Sequence, residues 1–212
     1  MKINFLGDSI TEGVGASSPE FSYVSLVASA LSCEVKNYGV SGTRIARQKT
    51  PSQWERFDEY FLLRAQKMDK DADMVFVFGG TNDYGHGDAE MGVFGDKNID
   101  TFIGAFQALI EYLVGVYGKN KLHFILPLPR YNQDCIYGDG AKTTGLHSLA
   151  EYIETEKEIL KHYGIPYLDF TDSFPVPQTN TGDAFTTDGL HPNDAGHVVL
   201  AAKICMYITL HL

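Results

Sequence analysis

The stretch KINFLGDSITEGVG, residues 2–15, joins a short apolar run to a turn punctuated by glycines. Lys2 to Leu6 has the branched and aromatic character of a strand buried on both faces. Gly7, Asp8 and Ser9 end that run, and Gly13 and Gly15 keep the chain loose before the next helical pattern. A serine on such a turn presents its hydroxyl outward, as a nucleophile must. An ordinary turn or N-cap serine sits in the same place, so the rest of the chain has to decide.

Strand-like runs recur at Glu34–Tyr38, Met74–Phe78, Leu122–Leu126 and Tyr167–Phe170. Between and after them, helical patterns fall at about Tyr23–Leu31, Trp54–Gln66, Thr101–Tyr117, Gly145–His162 and Ala195–Leu210, the last with Pro192 near its start. Strands alternating with helices predict a parallel sheet covered on both faces. Right-handed crossovers then give a three-layer α/β/α sandwich on five strands. No repeat, low-complexity tract or linker divides the chain, so a single domain over 1–212 is expected.

In such folds ligands bind beyond the carboxyl ends of the strands. GDS follows the first strand, GVSGTR the second, GGTND the third and PLPRYN the fourth, while TDGLHPN lies between the fifth strand and the last helix. All these polar, glycine-rich stretches gather at one edge of the sheet.

Bulk properties narrow the function classes. The 212 residues carry 17 basic and 27 acidic side chains, a net charge of −10, which argues against wrapping a phosphate backbone. That charge gives no help in approaching an anionic membrane, and no apolar run reaches the ~20 residues that span a bilayer. No signal-peptide pattern is seen. Cys33, Cys135 and Cys205 are too scattered for a metal-type pair or a disulfide framework. Reduced thiols in a cytoplasmic protein are expected.

Each stretch has a chemical reading and a plainer one. Asp188 and His191, three residues apart, allow a carboxylate to turn back to imidazole Nδ1–H and leave the other nitrogen free to take a proton. A serine hydroxyl needs such a base to become a nucleophile. The plainer reading has Asp188 in a turn and His191 capping the last helix. In GGTND, Gly79 and Gly80 admit close approach of a ligand, and the Asn82 amide can donate to a developing oxyanion. An asparagine in a turn is the commoner case. Gly42 has no side chain to shield its N–H, which can serve an oxyanion or simply a turn. Singly these are weak signals. Their order along one sheet edge is a strong one.

These four blocks, GDSITEG, GVSGTR, GGTND and DGLHPN, resemble those of the GDSL/SGNH hydrolases, and they span residues 7–193. Ile10 replaces the leucine of the family name, an apolar exchange. The resemblance implies a flavodoxin-like α/β/α fold and a serine esterase or lipase. It implies Ser9 as nucleophile, His191 as base and Asp188 as the orienting acid. The N–H groups of Ser9 and Gly42 and the amide of Asn82 would form the oxyanion hole. Asp8 is not counted as the triad acid. Acyl transfer of this kind requires neither metal nor nucleotide, and no GxxxxGK phosphate loop is present.

Other residues carry less. Arg44 can reach a substrate mouth or be a solvated arginine, and Tyr84, Tyr131 and Trp54 can line a subsite or pack elsewhere. The run around residues 84–98, with glycines at 85, 87, 92 and 95, reads as a loop near the site and a candidate lid, with His86 a loop histidine rather than a second base. The expected substrate is a small-molecule ester, such as an O-acetyl group on a sugar. Longer acyl chains on a lysophospholipid or thioester are the alternative within the class. A non-catalytic binding module that kept the fold is the alternative outside it.

Overall fold

The computed structural model describes residues 1–211. Five strands form one sheet: β1 (Lys2–Gly7), β2 (Glu34–Gly39), β3 (Met74–Phe78), β4 (Leu122–Ile125) and β5 (Tyr167–Leu168). Their order is β2-β1-β3-β4-β5, and every neighbouring pair is parallel. The chain leaves β1 toward one edge to make β2, then returns to the other side of β1 to make β3. The carboxyl ends of β1 and β3 therefore flank the switch point of this flavodoxin-like order, where ligands bind in sheets of this kind.

The helices are α1 (Ser9–Glu12), α2 (Tyr23–Leu31), α3 (Phe61–Ala65), α4 (Thr81–His86), α5 (Phe102–Tyr117), α6 (Leu149–Tyr163) and α7 (Asp194–His211). Strand β3, MVFVF, is buried throughout and shows how the sheet divides two cores. Its Val75 and Val77 pack with Phe61 of α3, Phe106 of α5 and Leu160 of α6. The alternate residues Met74, Phe76 and Phe78 pack with Val24 and Val27 of α2 and with Leu200 and Ile204 of α7. Helices thus cover both faces, making three layers. Among the described residues no helix is long and apolar enough to cross a membrane, and all three cysteines are free.

Several boundaries differ from those expected, for local reasons. The helix predicted over Trp54–Gln66 is broken. A 3₁₀ turn covers Glu55–Asp58, and α3 begins only at Phe61. Tyr60 between them is extended, and the Phe61 N–H goes to the Arg44 carbonyl at 3.0 Å instead of continuing a helix. The α6 helix starts at Leu149, not Gly145, because Ser148 and Glu151 form a reciprocal capping box. Strand β5 is two residues shorter than predicted. The loop predicted from residue 84 is helical as far as His86, since α4 extends from Thr81 through the first part of it. Ser9 opens a single helical turn, α1, capped by the Asp8 carboxylate on the Ile10 N–H at 3.0 Å.

Candidate active site

Ser9 stands at the first position of α1, directly beyond β1, where the N–H has no intrahelical acceptor. Its Oγ lies 2.9 Å from His191 Nε2, 182 residues later in the chain. His191 Nδ1 lies 2.7 Å from Asp188 Oδ2. A carboxylate only accepts, so the imidazole proton sits on Nδ1 and Nε2 is left to accept from the serine hydroxyl. The other oxygen of Asp188 accepts the backbone N–H groups of Leu190, at 3.0 Å, and His191, at 2.8 Å. Partial burial works to raise this carboxyl. The hydrogen bonds from the His191 ring and backbone outweigh it and hold Asp188 below the usual carboxylate range, ionised and aimed at the imidazole.

Gly42 lies in the loop after β2. Its φ is +73°, which favours glycine, and a Cβ there would crowd the Phe57 ring at 3.2 Å. Asn82 follows β3 on α4. Its amide Nδ2 donates to the Thr43 carbonyl at 2.9 Å, tying α4 to the Gly42 loop. The second tie is Asp83, whose two carboxylate oxygens each accept a backbone N–H, of Ile45 and Ala46, at 2.9 Å. Burial pushes the Asp83 pKa up to about 6, and those two hydrogen bonds work against the rise. Gly80, with φ +101°, caps α4, and a Cβ there would overlap the buried Glu156 carboxyl. The structure therefore brings together Ser9, Asp188 and His191 as one hydrogen-bonded chain. It sets the Gly42 loop and Asn82 beside each other at the same edge.

Of the four weaker candidates, Tyr131 borders an open hollow. Arg44 is 3% exposed, and Tyr84 is fully buried. The Arg44 guanidinium donates to the Gly42 and Phe57 carbonyls, at 3.1 and 3.0 Å, and to Asp58 at 3.0 Å, so it braces the loop instead of facing a substrate. The Tyr84 hydroxyl donates to the carbonyls of Asn132 and Cys135 inside the fold. Trp54 is 59% exposed at the start of the 3₁₀ turn. The hollow of about 320 Å³ is lined by Arg130, Tyr131, Asn132, Asp139, Asn180, Asp188, Gly189 and Leu190. A second hollow, of about 500 Å³, lies at the far end of the sheet, beside Met74, His123 and Pro166, where the strands begin. Among the described residues no group of three or more His, Cys, Asp or Glu side chains is placed to hold a metal ion.

Two further supports come from the fold. Arg64 of α3 is buried beneath the serine turn. It donates to the carbonyls of Gly7 and Tyr38, at 2.9 and 2.6 Å, and to the Thr43 hydroxyl at 2.7 Å. These carbonyls end β1 and β2, and nothing in the sequence around Arg64 marks it for them. Asp8 is the other support. Burial pushes its pKa up to about 6 against the pull of the Ile10 N–H, His191 and Arg64, and its second oxygen has no partner.

The raised Asp8 carboxyl gives a stability prediction. It holds its proton more tightly in the folded chain than in the unfolded one. Its stabilising share is therefore complete below about pH 3.8 and lost as pH rises through about 6. Asn at this position cannot ionise. Asp8→Asn should gain on the wild type by up to about 3 kcal/mol as pH rises from about 4 to about 7, and no further above it. Urea unfolding of both proteins at stepped pH measures the difference, and an offset constant across the range would contradict the assignment.

The GDSL-like Lipase/Acylhydrolase family model matches residues 5–199. Among solved structures, a Lactobacillus plantarum protein superposes with a TM-score of 0.82 at 27% identity, covering 100% of this chain and 97% of its own. Est24, a carbohydrate acetylesterase from Sinorhizobium meliloti, shares the fold with a TM-score of 0.69 at 16% identity, covering 100% and 99%. A two-domain esterase active on acetylated mannans gives 0.63 at 23%, with all of this chain matching 49% of that one. None of the curated proteins matches the chain. The match covers nearly every strand and helix described above, and the chain belongs to the GDSL-like lipase/acylhydrolase family, a carboxylic ester hydrolase.

Proposed function

We propose that the chain, as one hydrolase domain, cleaves short-chain acyl esters through an acyl-enzyme, with O-acetyl groups on a carbohydrate as the substrate class. The observation that carries this is the unbroken chain Asp188–His191–Ser9, with contacts of 2.7 and 2.9 Å. Ser9 Oγ attacks the ester carbonyl carbon as its proton passes to His191 Nε2. The negative oxygen is held by the Ser9 and Gly42 N–H groups and the Asn82 amide. Collapse breaks the bond to the alcohol oxygen, which leaves with the proton from His191. Water then attacks the acyl-Ser9 carbonyl with His191 again as base, releasing the acid and restoring the hydroxyl.

The polar walls of the hollow beside Asp188 support a hydroxylated leaving group. Arg130, Asn132, Asp139 and Asn180 offer donors and acceptors, and Tyr131 offers an aromatic face, which together suit a sugar better than an acyl chain. One fold relative is named a carbohydrate acetylesterase and another an esterase active on acetylated mannans, which points the same way.

With p-nitrophenyl esters from acetyl to palmitoyl, kcat/KM should be roughly tenfold or more higher for acetyl than for dodecanoyl, on the usual worth of a methylene that a pocket cannot house. Acetylated sugars run alongside should release acetate. A preference for the long chains would move the reading to a lysophospholipase or thioesterase.

A further inference from the structure

We propose that His86 is a positioning residue that fixes which end of the Asn82 amide faces the reacting carbonyl. The inference rests on the oxyanion role of Asn82 proposed above. An amide side chain has an oxygen at one end and an NH₂ at the other, and only the NH₂ end can stabilise an oxyanion. The two ends have nearly the same shape, so only the hydrogen-bond partners distinguish them.

Here the partners form a directed chain that begins at Arg44. Its guanidinium has donors and no acceptor. It is held by the Gly42 and Phe57 carbonyls, Ser52 and Asp58, and its Nη1 lies 3.0 Å from His86 Nδ1. Nδ1 must therefore accept, which puts the ring proton on Nε2. His86 Nε2 lies 3.1 Å from Asn82 Oδ1 and donates to it. The Asn82 oxygen is thereby taken up, and its Nδ2 turns to the Gly42 loop, where one N–H bonds the Thr43 carbonyl at 2.9 Å. The second N–H remains for the substrate oxygen. The four-residue spacing of Asn82 and His86 on α4 stacks the two side chains on one face of the helix.

The relay works only with a neutral imidazole, since a protonated Nδ1 would meet Arg44 donor to donor. Desolvation of the ring, with the adjacent Arg44, pushes the His86 pKa down to about 4, so the ring is neutral in the range where a histidine base operates.

The test uses substitutions that separate the donor from the bulk of the ring. Gln keeps an N–H donor near the position of Nε2, and Met has a similar length and no donor. On p-nitrophenyl acetate, His86→Met should lower kcat by roughly tenfold, a fraction of the loss from removing an oxyanion donor outright. KM should stay within about threefold, and His86→Gln should keep kcat within about threefold of the wild type. His86→Ala, which needs no added space, serves as a second donor-less variant held to the same outcome. The decisive arm places His86→Met on Asn82→Ala. A residue that acts only through Asn82 should cost less than about twofold more in that background.

A full second loss there would overturn the inference while leaving the oxyanion assignment standing. So would folded His86→Met or His86→Ala with wild-type kcat, or folded His86→Gln as slow as His86→Met. Wild-type turnover by Asn82→Ala would overturn the oxyanion assignment and the inference with it.

Discussion

Ser9→Ala should lower kcat on a short-chain ester by roughly 10⁵–10⁶, leaving only the residual rate that binding and an oxyanion site supply without a nucleophile. The loss is this large because the hydroxyl forms the covalent bond, and no neighbouring group can replace it. His191→Ala should be nearly as damaging. The double variant should be little worse than either, since nucleophile and base act as a unit. Asp188→Asn should retain the geometry but allow the imidazole its wrong tautomer, costing about 10⁴. None of these changes should unfold the chain. Ser9 Oγ has its hydrogen bond to His191, and the capping of α1 belongs to Asp8. Steady-state kinetics with a thermal melt on each variant provide the check, and a folded Ser9→Ala with wild-type turnover would remove Ser9 from the chemistry.

Asn82→Ala should lose about 10²–10³ in kcat, or ~2.7–4 kcal/mol, with KM little changed. The ground-state carbonyl needs the amide N–H little, and the tetrahedral oxyanion needs it much more. The variant also releases the Thr43 carbonyl and His86, but Asp83 still holds the two N–H groups of the Gly42 loop. The scaffold should therefore persist, which circular dichroism and a melt can confirm. A fluorophosphonate should still label Ser9 in this variant, more slowly. A folded Asn82→Ala with kcat within about threefold of the wild type would take Asn82 out of the oxyanion hole.

Much of this site can be read from the sequence because its chemistry sits in short, glycine-marked stretches at strand ends. Alternating strands and helices place those stretches on one edge, and the β2-β1-β3-β4-β5 order sets GDS and GGTND on either side of the switch point. The supporting layer is harder to read. Arg44 resembles a surface arginine until the fold buries it against Asp58 and His86. Arg64 reaches three groups 21 to 57 residues away, and no local pattern encodes that. His86 was readable in principle from its four-residue spacing to Asn82. The glycines at 85 and 87 disguise α4 as a loop, because propensity argues against a helix that Asp83 and the Gly80 cap impose. The break between Asp58 and Phe61 is similar. The hydrophobic period continues, but Asp58 is drawn to Ser52 and Arg44 and the helix stops.

Ser9 should carry the acyl group during turnover, and mass spectrometry can locate it there. The native protein is mixed with p-nitrophenyl acetate, quenched in acid during the first turnover, digested and sequenced, with a fluorophosphonate-treated sample in parallel. If Ser9 is the acyl carrier, one acetyl group, or one phosphonyl group, is expected on the peptide that contains Ser9, and neither in Ser9→Ala. An adduct on another residue, or labelling that persists unchanged in Ser9→Ala, would contradict it.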